Sequence, residues 1–357
     1  MSRRAVWMNL WDLEGRPPQA VLDHLENVGL NGCRIGLAYH GGRMLLPGHA
    51  SRVVYEQPLS PGLTAPLELL SFLEAAEARR FHTAAWLVLC HNDLLGEASP
   101  HLCITNAFDE RYPYALCPAQ PEVQDHCIQL CRRAAEIPGI AELDLEALSF
   151  MGYEHQGLHD KRGIPLPAAI SWQLSLCCCD RCAGAVPELK AALQTNIRHW
   201  LTDPYAEPPT LPGPLQQAAL AWRRKVQKDL LCRIRQALPR TTLNIRTSQT
   251  EAWAGGKCTL RLEDLAEYNA EATYTWFGAT LEDMRTAIAR IPAHPAVPLT
   301  GGFVFHEPDC RSAADVAARL ELLAASPAAD FNFYGFSMAA PAHWRWLQQA
   351  LKGLPTK

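Results

Sequence analysis

The sequence alternates eight times between a short apolar run typical of a β-strand and a longer segment with helical periodicity. Strands that alternate with helices pair in parallel through right-handed crossovers, and eight such units close into a barrel. Pro121 and Pro341 mark the starts of two of the helices. We therefore predict an α/β fold, a (β/α)8 or TIM barrel, as a single domain over residues 1–357. The predicted strands are 5–9, 32–39, 81–90, 140–148, 241–247, 272–278, 297–305 and 330–337.

The chain is longer than a minimal barrel. A (β/α)8 barrel takes ~250 residues, so a chain of 357 residues has about 100 residues for insertions. The spacing of the predicted elements places long insertions after the second, third and fourth strands, with 149–214 as the largest. The alternative is an open doubly wound sheet, which is disfavoured because no glycine-rich phosphate-binding loop follows an early strand.

Charge and cysteine content exclude several classes of protein. Lys and Arg total 33 and Asp and Glu total 37, so the basic surface that nucleic-acid binding requires is not expected. No apolar run approaches the ~20 residues of a membrane helix and no secretion signal is evident, so we expect no membrane partner and a cytoplasmic location. Thirteen cysteines, an odd number, are typical of a reducing compartment. Oligomeric state stays open, including a homo-oligomer.

Polar and aromatic residues gather where the predicted strands end. In a (β/α)8 barrel the chemistry lies at the carboxyl ends of the strands. The predicted amino ends carry mostly small and apolar residues, so this asymmetry predicts a site at the carboxyl face. The residues at or near the carboxyl ends include Asn9, Trp11, Asp12, Tyr39, His40, His91, Asn92, Asp93, Glu146, Arg246, Trp276, His306, Glu307 and Tyr334.

The predicted fourth strand carries three carboxylates at alternate positions. Glu142, Asp144 and Glu146 share one face because side chains alternate along a strand, and we expect that face to line the barrel interior. Crowded carboxylates repel one another, which raises the pKa of Glu146 at the mouth and suits a general acid. Glu142 and Asp144 have a second interpretation, as structural ion-pair partners of Arg34 or Arg246.

Glu307 follows the predicted seventh strand and supplies a second carboxylate across the barrel. Two facing carboxylates are the minimum apparatus of glycoside hydrolysis: one protonates the leaving oxygen and the other attacks the anomeric carbon or activates water. The residues alone leave retention and inversion open, and Glu307 could instead cap the next helix. The residues predicted to position a carbohydrate substrate are Asn9, Arg34, His40, His91, Asn92, Tyr153, His155, Arg246, Trp276 and His306.

A group of cysteines has metal-ligand spacing. Cys177, Cys179 and Cys182 form a C-x-C-x-x-C run, and Cys117 in the preceding insertion is the predicted fourth ligand, with Cys103 as the alternative. Four thiolates leave no open coordination position, so we predict a structural Zn²⁺ site. The competing interpretation is a set of buried, inert thiols.

These features resemble the catalytic barrel of family 42 glycoside hydrolases, which are β-galactosidase-like enzymes of the retaining (β/α)8 clan. In that family a Cys-x-Cys-x-x-Cys run follows the acid/base glutamate of the fourth strand, and an earlier cysteine, usually followed by proline, completes a zinc site. Cys117-Pro118 and the run from Cys177 match this order. The resemblance implies a retaining reaction rather than an inverting one, with Glu146 as the acid/base and Glu307 as the nucleophile. The chain departs from the clan at Leu145, where the clan has asparagine.

Two other functions remain open from the sequence. Rim histidines with Glu146 or Glu307 could bind a catalytic divalent ion, as in metal-dependent barrel isomerases and hydrolases. Leu145 keeps open a third class, a barrel that binds carbohydrate without turning it over. The histidines in question are His40, His91, His155, His159 and His306.

Overall fold

The structure, a computed structural model, describes residues 2–38, 42–46, 49–54, 66–155 and 163–354, with the backbone alone for 42–46 and 49–54. In chain order the strands are β1 Arg4–Asn9, β2 Gly32–Ala38, β3 Gly42–Leu46, β4 His49–Val54, β5 His82–Val88, β6 Cys103–Thr105, β7 Arg111–Leu116, β8 Glu142–Glu146, β9 Thr242–Arg246, β10 Glu271–Thr275, β11 Leu299–Val304 and β12 Asp330–Tyr334. The helices are α1 Pro18–Val28, α2 Leu67–Ala78, α3 Asp93–Ala98, α4 Pro121–Ala135, α5 Ala168–Leu174, α6 Asp180–Ala185, α7 Leu189–Thr202, α8 Gly213–Ala237, α9 Leu262–Glu267, α10 Leu281–Ala289, α11 Ala313–Ala324 and α12 Pro341–Gly353.

Eight strands close into a parallel barrel. The order around it is β1, β2, β5, β8, β9, β10, β11, β12 and back to β1, and every pairing is parallel. This confirms the predicted (β/α)8 fold. All barrel strands except β1 end earlier than predicted at their carboxyl ends, because apolar residues continue past the last ladder bond into the rim. Tyr39 and His40, at the predicted end of the second strand, lie outside the described residues.

Three connections carry additional elements. The hairpin of β3 and β4 lies between β2 and α2, and the hairpin of β6 and β7, with α3, lies between β5 and α4. Helices α5, α6 and α7 lie between β8 and α8. The segments after β5 and β8 therefore bring extra structure to the carboxyl face of the barrel, where neighbouring connections meet.

Several helices begin where their sequences indicate. Pro121 and Pro341 occupy the first turns of α4 and α12, and Thr280 caps α10 with its side chain accepting from the Asp283 N–H. Among the described helices, none is long and apolar enough to cross a bilayer.

Side-chain alternation divides the barrel into an apolar outside and a polar inside. On β8, Leu143 and Leu145 pack in the core between strands and helices, whereas Glu142 and Asp144 are fully buried in the barrel interior. The predicted division of this strand is therefore observed.

The amino end of the barrel is closed by ion pairs. Arg3, just before β1, contacts Glu142 of β8, Glu271 of β10 and Asp330 of β12, each at 2.6 Å. The expectation of small and apolar residues at this end was wrong. Inward-facing carboxylates here need a cation because burial without a partner is costly, and Arg3 supplies it to three strands at once.

Candidate active site and cysteine cluster

Glu146 lies at the carboxyl end of β8 with its side chain 22% exposed. The indole N–H of Trp86 donates to Glu146 Oε2 at 2.7 Å, and Arg246 Nη1 contacts the same oxygen at 2.7 Å. Burial raises the pKa of Glu146 and the charge of Asp144 adds to this, while Arg246 and Trp86 act in the opposite direction. The pKa is raised, as expected, but burial is a larger cause than the neighbouring carboxylate.

Arg246 is held between two indole rings. Its guanidinium carbon lies 4.3 Å from the Trp7 ring centre and 4.8 Å from that of Trp86. Arg246 Nη2 also contacts Asp144 Oδ2 at 3.3 Å, and the side chain is 3% exposed. These contacts orient Arg246 toward the two acids, so we assign it to holding Glu146 and Asp144 rather than to direct contact with a sugar.

Deeper in the barrel, Glu142 and Asp144 form the structural ion pairs that the sequence left as an alternative. Arg34 Nη1 lies 2.6 Å from Glu142 Oε1 and 3.5 Å from Asp144 Oδ2, and Trp7 Nε1 donates to Asp144 Oδ2 at 2.6 Å. Arg34 is 2% exposed. Its prediction as a sugar-positioning residue is corrected, because its charge is engaged below the mouth.

Four aromatic side chains, Trp7, Trp86, Phe277 and Tyr334, form a cluster above these ion pairs. The Phe277 ring centre lies 5.8 Å from that of Trp7 and 5.2 Å from that of Tyr334, and Tyr334 lies 6.3 Å from both indoles. Tyr334 and Phe277 are partly exposed. We call this set the aromatic cluster; it is the face of the site able to stack on a sugar ring.

Trp276 lies on the other side of its strand. Its ring packs near Tyr274 in the core between barrel and helices, because alternation along β10 and its extension sends residues 272, 274 and 276 outward. The expectation that Trp276 positions a substrate is therefore wrong. Phe277 joins the mouth instead, and the same alternation, applied one residue further, would have found it.

On the β1 side, Asn9 is 5% exposed, and its Oδ1 has no hydrogen-bond partner within the described chain. A buried acceptor without a partner is costly, and Asn9 Oδ1 is an unsatisfied acceptor at the carboxyl end of β1. The role of Asn9 in positioning a substrate stays a prediction.

At the end of β11, His306 is held by backbone groups. Its Nδ1 lies 2.7 Å from the Glu307 carbonyl, and the Gly335 N–H donates to its Nε2 at 3.3 Å. Burial lowers the pKa of His306, which favours the neutral ring. Through these two contacts the ring links the backbone after β11 to the backbone after β12. Glu307 itself is exposed. Among the described residues, the contacts that hold Glu146 come from Trp86 and Arg246 and not from Glu307.

The remaining predicted residues lie after β5 and β8. The His91 ring lies 4.8 Å from that of His155. Asn92 caps α3, with its side chain accepting from the Leu95 N–H at 3.0 Å; this local bond explains the residue without a substrate. Tyr153 is half-buried, and its backbone N–H donates to Ser175 Oγ at 2.8 Å.

Lys257, after β9, was missed by the sequence reasoning. Its Nζ donates to the Thr275 carbonyl at 2.6 Å and lies 5.1 Å over the Trp253 ring. Burial and the nearby Arg246 charge lower the pKa of Lys257 to about 8, against the attraction of Glu146. The signal was weak, since a single lysine in a loop has no distinguishing spacing.

The cysteine cluster comprises Cys117, Cys177, Cys179 and Cys182, whose sulfur atoms all lie within 4.8 Å of one another. Cys117 Sγ is 3.7 Å from Cys177 Sγ and 3.8 Å from the other two. A tetrahedral site with metal–sulfur bonds of ~2.3 Å has sulfur–sulfur edges of about 3.8 Å. The four thiols therefore have the donor set and spacing that a divalent ion needs.

Two further cysteines, Cys103 and Cys178, do not belong to the cysteine cluster and have other contacts. Cys103 Sγ, the alternative fourth ligand, contacts the Gly96 carbonyl at 3.4 Å. Cys178 packs in a separate apolar group and contacts the Leu176 carbonyl. Cys117, not Cys103, therefore completes the cluster.

Crowding sets the protonation of the cluster. Three neighbouring thiols can donate to Cys179, which lowers its pKa far below the usual range, whereas the same contacts raise the pKa of Cys117. Metal binding requires deprotonated thiols, and Cys179 is the thiol whose ionisation these contacts favour.

A metal ion needs several His, Cys, Asp or Glu side chains close together. Among the described residues, the four cysteines are the set of such side chains that is placed to hold one. His40 and His159 lie outside the described residues. The described histidines thus add no support to a catalytic metal at the rim.

No protein-family model and no curated protein matches the sequence. Solved structures do match in fold. The α-L-fucosidase isoenzyme 2 from Paenibacillus thiaminolyticus superposes with a TM-score of 0.58 at 12% identity, covering 99% of this chain and 49% of that one. Gan42B, a GH42 β-galactosidase from G. stearothermophilus, gives 0.61 at 11% identity over 98% of this chain and 56% of that one.

The catalytic domain of β-amylase from Paenibacillus polymyxa gives a TM-score of 0.60 at 12% identity and covers 99% of both chains. The chain therefore spans about half of the fucosidase and β-galactosidase chains and nearly all of the β-amylase domain. At these identities the similarity concerns the fold: the chain has the (β/α)8 barrel that these glycoside hydrolases share.

Proposed function

We propose that the protein hydrolyses a glycosidic bond, with Glu146 as the group that donates and recovers the proton. The observation that carries this proposal is the position of Glu146: a carboxyl at the carboxyl face of the barrel, partly exposed and held by Trp86 and Arg246. Burial raises its pKa. A raised pKa favours the protonated form that a general acid needs. The structures similar in fold are named as glycosidases and an amylase, which supports the same class.

The hydrogen bonds assign the proton to one oxygen. Trp86 and Arg246 both donate to Glu146 Oε2, so Oε1 is the atom that carries the transferable proton. That proton passes to the leaving oxygen of the glycoside as its bond to the anomeric carbon breaks. The aromatic cluster stacks on the sugar, and Asn9 Oδ1 accepts from one of its hydroxyls.

Glu307 is the proposed second carboxylate and would attack the anomeric carbon in a retaining reaction. This assignment rests on its place after β11 and on the resemblance to family 42 enzymes. Glu307 is exposed at the rim.

The experiment is a screen of aryl glycosides followed by Glu146→Gln, Glu307→Gln and the exposed control Glu282→Gln on α10. We expect Glu146→Gln to lower kcat by roughly 10²–10⁴-fold without loss of thermal stability, Glu307→Gln to do likewise, and the control to match wild type. An unchanged rate in either variant would remove that residue from the mechanism. Sugar binding without turnover of any glycoside would instead support a non-catalytic barrel.

We also propose that the cysteine cluster holds a structural zinc ion. Bound by four thiolates, zinc would crosslink the connection after β5, which carries Cys117, to the connection after β8, which carries the other three. Elemental analysis should find about one zinc per chain. A metal-free preparation with undiminished stability would contradict the proposal.

A further inference from the structure

Arg223 is a buried cation that has no carboxylate partner among the described residues. It lies on α8, 3% exposed, between the Phe150 ring at 4.6 Å and the Trp172 ring at 4.9 Å. Its Nη2 donates to the carbonyl oxygens of Phe150 at 3.4 Å and Trp253 at 2.7 Å. Its Nε and Nη1 have no partner within the described chain.

Two arginines buried inside the barrel are paired differently. Arg34 and Arg246 each contact carboxylates. A buried charge is normally paired because leaving it unpaired in the interior is costly. The buried charge of Arg223 is therefore not balanced by any carboxylate among the described residues, and a negatively charged group beside it would stabilise it.

The cysteine cluster packs with the same side chain that covers Arg223. Phe150, whose ring lies 4.6 Å from the Arg223 guanidinium carbon, belongs to one buried group with Cys117, Cys177 and Cys182. Burial lowers the pKa of Arg223 to about 10, and the charges that act against this lowering are the thiolates of Cys182, Cys177 and Cys117. A divalent ion bound by four thiolates has a net charge of about −2. The loaded cluster would thus supply the missing anion, whereas four neutral thiols would not.

We propose that Arg223 is the counter-cation of the metal-loaded cysteine cluster and ties this centre to the loops beside Glu146. This inference rests on the proposed metal site and goes beyond it, since it assigns a positioning role to a residue that binds neither metal nor substrate.

The connection to Glu146 runs through backbone bonds. The Phe150 carbonyl that accepts from Arg223 also accepts from the Gly255 N–H at 3.3 Å. The next residue, Gly256, accepts from the Ala147 N–H at 2.7 Å, directly after Glu146. Charge balance at Arg223 therefore stabilises the same loops that border the acid.

The test measures metal affinity in Arg223→Met, Arg223→Lys and wild type by competition for zinc with a chromogenic chelator. Losing a group that supports metal ligands typically lowers affinity by roughly 10–100-fold, and we expect this for Arg223→Met. Arg223→Lys keeps the charge and should stay within about threefold of wild type. The control is Arg224→Met, which removes the neighbouring arginine paired with Asp264.

A second measurement separates charge balance from packing. Thermal unfolding of wild type and Arg223→Met is compared with zinc and after chelation. Arg223→Met should lower the Tm of the zinc-loaded protein and leave the Tm of the metal-free protein unchanged or raised, since an unbalanced buried charge is then removed. If Arg223→Met does not fold, Arg223→Lys is compared with wild type in both states, where it should match wild type.

The outcomes distinguish the two proposals. No zinc binding by wild type would overturn the metal site and this inference with it. Zinc binding by wild type with equal affinity in Arg223→Met would overturn the role of Arg223 alone. An equal loss of zinc affinity in Arg223→Lys and Arg223→Met would assign the effect to the hydrogen bonds with Phe150 and Trp253. That result would also overturn the charge-balancing role of Arg223.

Discussion

At the scale of single residues, the environment of Glu146 is set by a close backbone approach. A Cβ at Gly256 would lie 2.8 Å from Glu146 Oε1 and 3.6 Å from its carboxyl carbon. Contacts below about 3 Å are repulsive, so only glycine leaves the carboxyl in its present position. The Oε1 atom concerned is the one proposed to carry the proton.

We therefore predict that Gly256→Ala lowers kcat by about 10²-fold, because a displacement near 1 Å at a catalytic group has effects of this size. The Tm should change little, since the carboxyl can turn toward the mouth. Aryl glycoside kinetics and thermal unfolding measure both. Gly353→Ala, at a position where a Cβ meets nothing within 4 Å, is the control; equal kinetics in the two variants would contradict the proposed position of Glu146.

Trp86 offers a test by pH. A general acid must hold its proton, so kcat/KM falls as the pH rises through the pKa of Glu146. The Trp86 N–H favours the ionised form and lowers that pKa, so Trp86→Phe should raise the pKa and move the basic limb to higher pH, by up to about one unit. Trp11→Phe removes an indole that donates to Ser337 instead and should leave the limb in place. A limb that moves to lower pH would contradict the assignment.

At the scale of elements, alternation along each strand sorts structure from chemistry. Glu142, Asp144 and Glu146 share the inner face of β8 but have different partners: the first two are fully buried in ion pairs, and the third reaches the mouth. The same rule explains why Trp276 is in the core and Phe277 is in the aromatic cluster. Position along the strand thus decides whether an inward residue supports the barrel or faces a ligand.

The amino end of the strands gives a prediction for stability. Arg3 joins three strands through Glu142, Glu271 and Asp330. Arg3→Met should lower the free energy of unfolding by about 2–4 kcal/mol at pH 7, because Glu142 loses one of its cations. Urea unfolding measures this. Arg79→Met, which removes exposed pairs with Asp23 and Glu26, should change it by less than about 1 kcal/mol.

The pH dependence of the Arg3 effect has a defined sign. Burial alone would raise the pKa of Glu142, but Arg34, His82 and Arg3 outweigh it and lower the pKa from 4.5 to about 2. The stabilising contribution of this carboxylate is present above pH 4.5 and is lost as the pH falls toward 2. The difference between wild type and Arg3→Met should therefore shrink over that interval. A difference that stays constant would show that Glu142 is not the partner that matters.

At the scale of the whole molecule, the cysteine cluster joins two connections on the carboxyl face. Cys179→Ser should lower the Tm by several degrees, because it removes one ligand of the proposed metal crosslink. The connection after β8 would then be held only by the packing of α5, α6 and α7. Differential scanning calorimetry measures the change. Cys232→Ser, which removes a half-buried thiol on α8 outside the cluster, is the matched control.

Chelation then separates a structural metal from a catalytic one. Below its unfolding temperature, the chelated protein should keep turning over aryl glycosides, because the proposed chemistry uses carboxylates alone. Immediate loss of activity from a protein that stays folded would favour the metal-dependent class instead.

The sequence by itself determined the repeating strand–helix unit and which side chains of a strand face the barrel interior. Apolar runs of strand length alternate with helical segments, and that local pattern allows few topologies, so the closed barrel and the inner face of β8 were predictable. The spacing of Cys177, Cys179 and Cys182 was predictable for the same reason, since ligands on one short segment leave a local signature.

Only the tertiary structure decided which distant groups meet. The choice of Cys117 over Cys103, the place of Arg246 between Trp7 and Trp86, and the burial of Arg223 all depend on contacts between segments far apart in the chain. Burial and partner choice are properties of the assembled core, because a side chain's solvation depends on what packs against it. The sequence indicates which residues can do chemistry, and the packing determines which of them are already engaged.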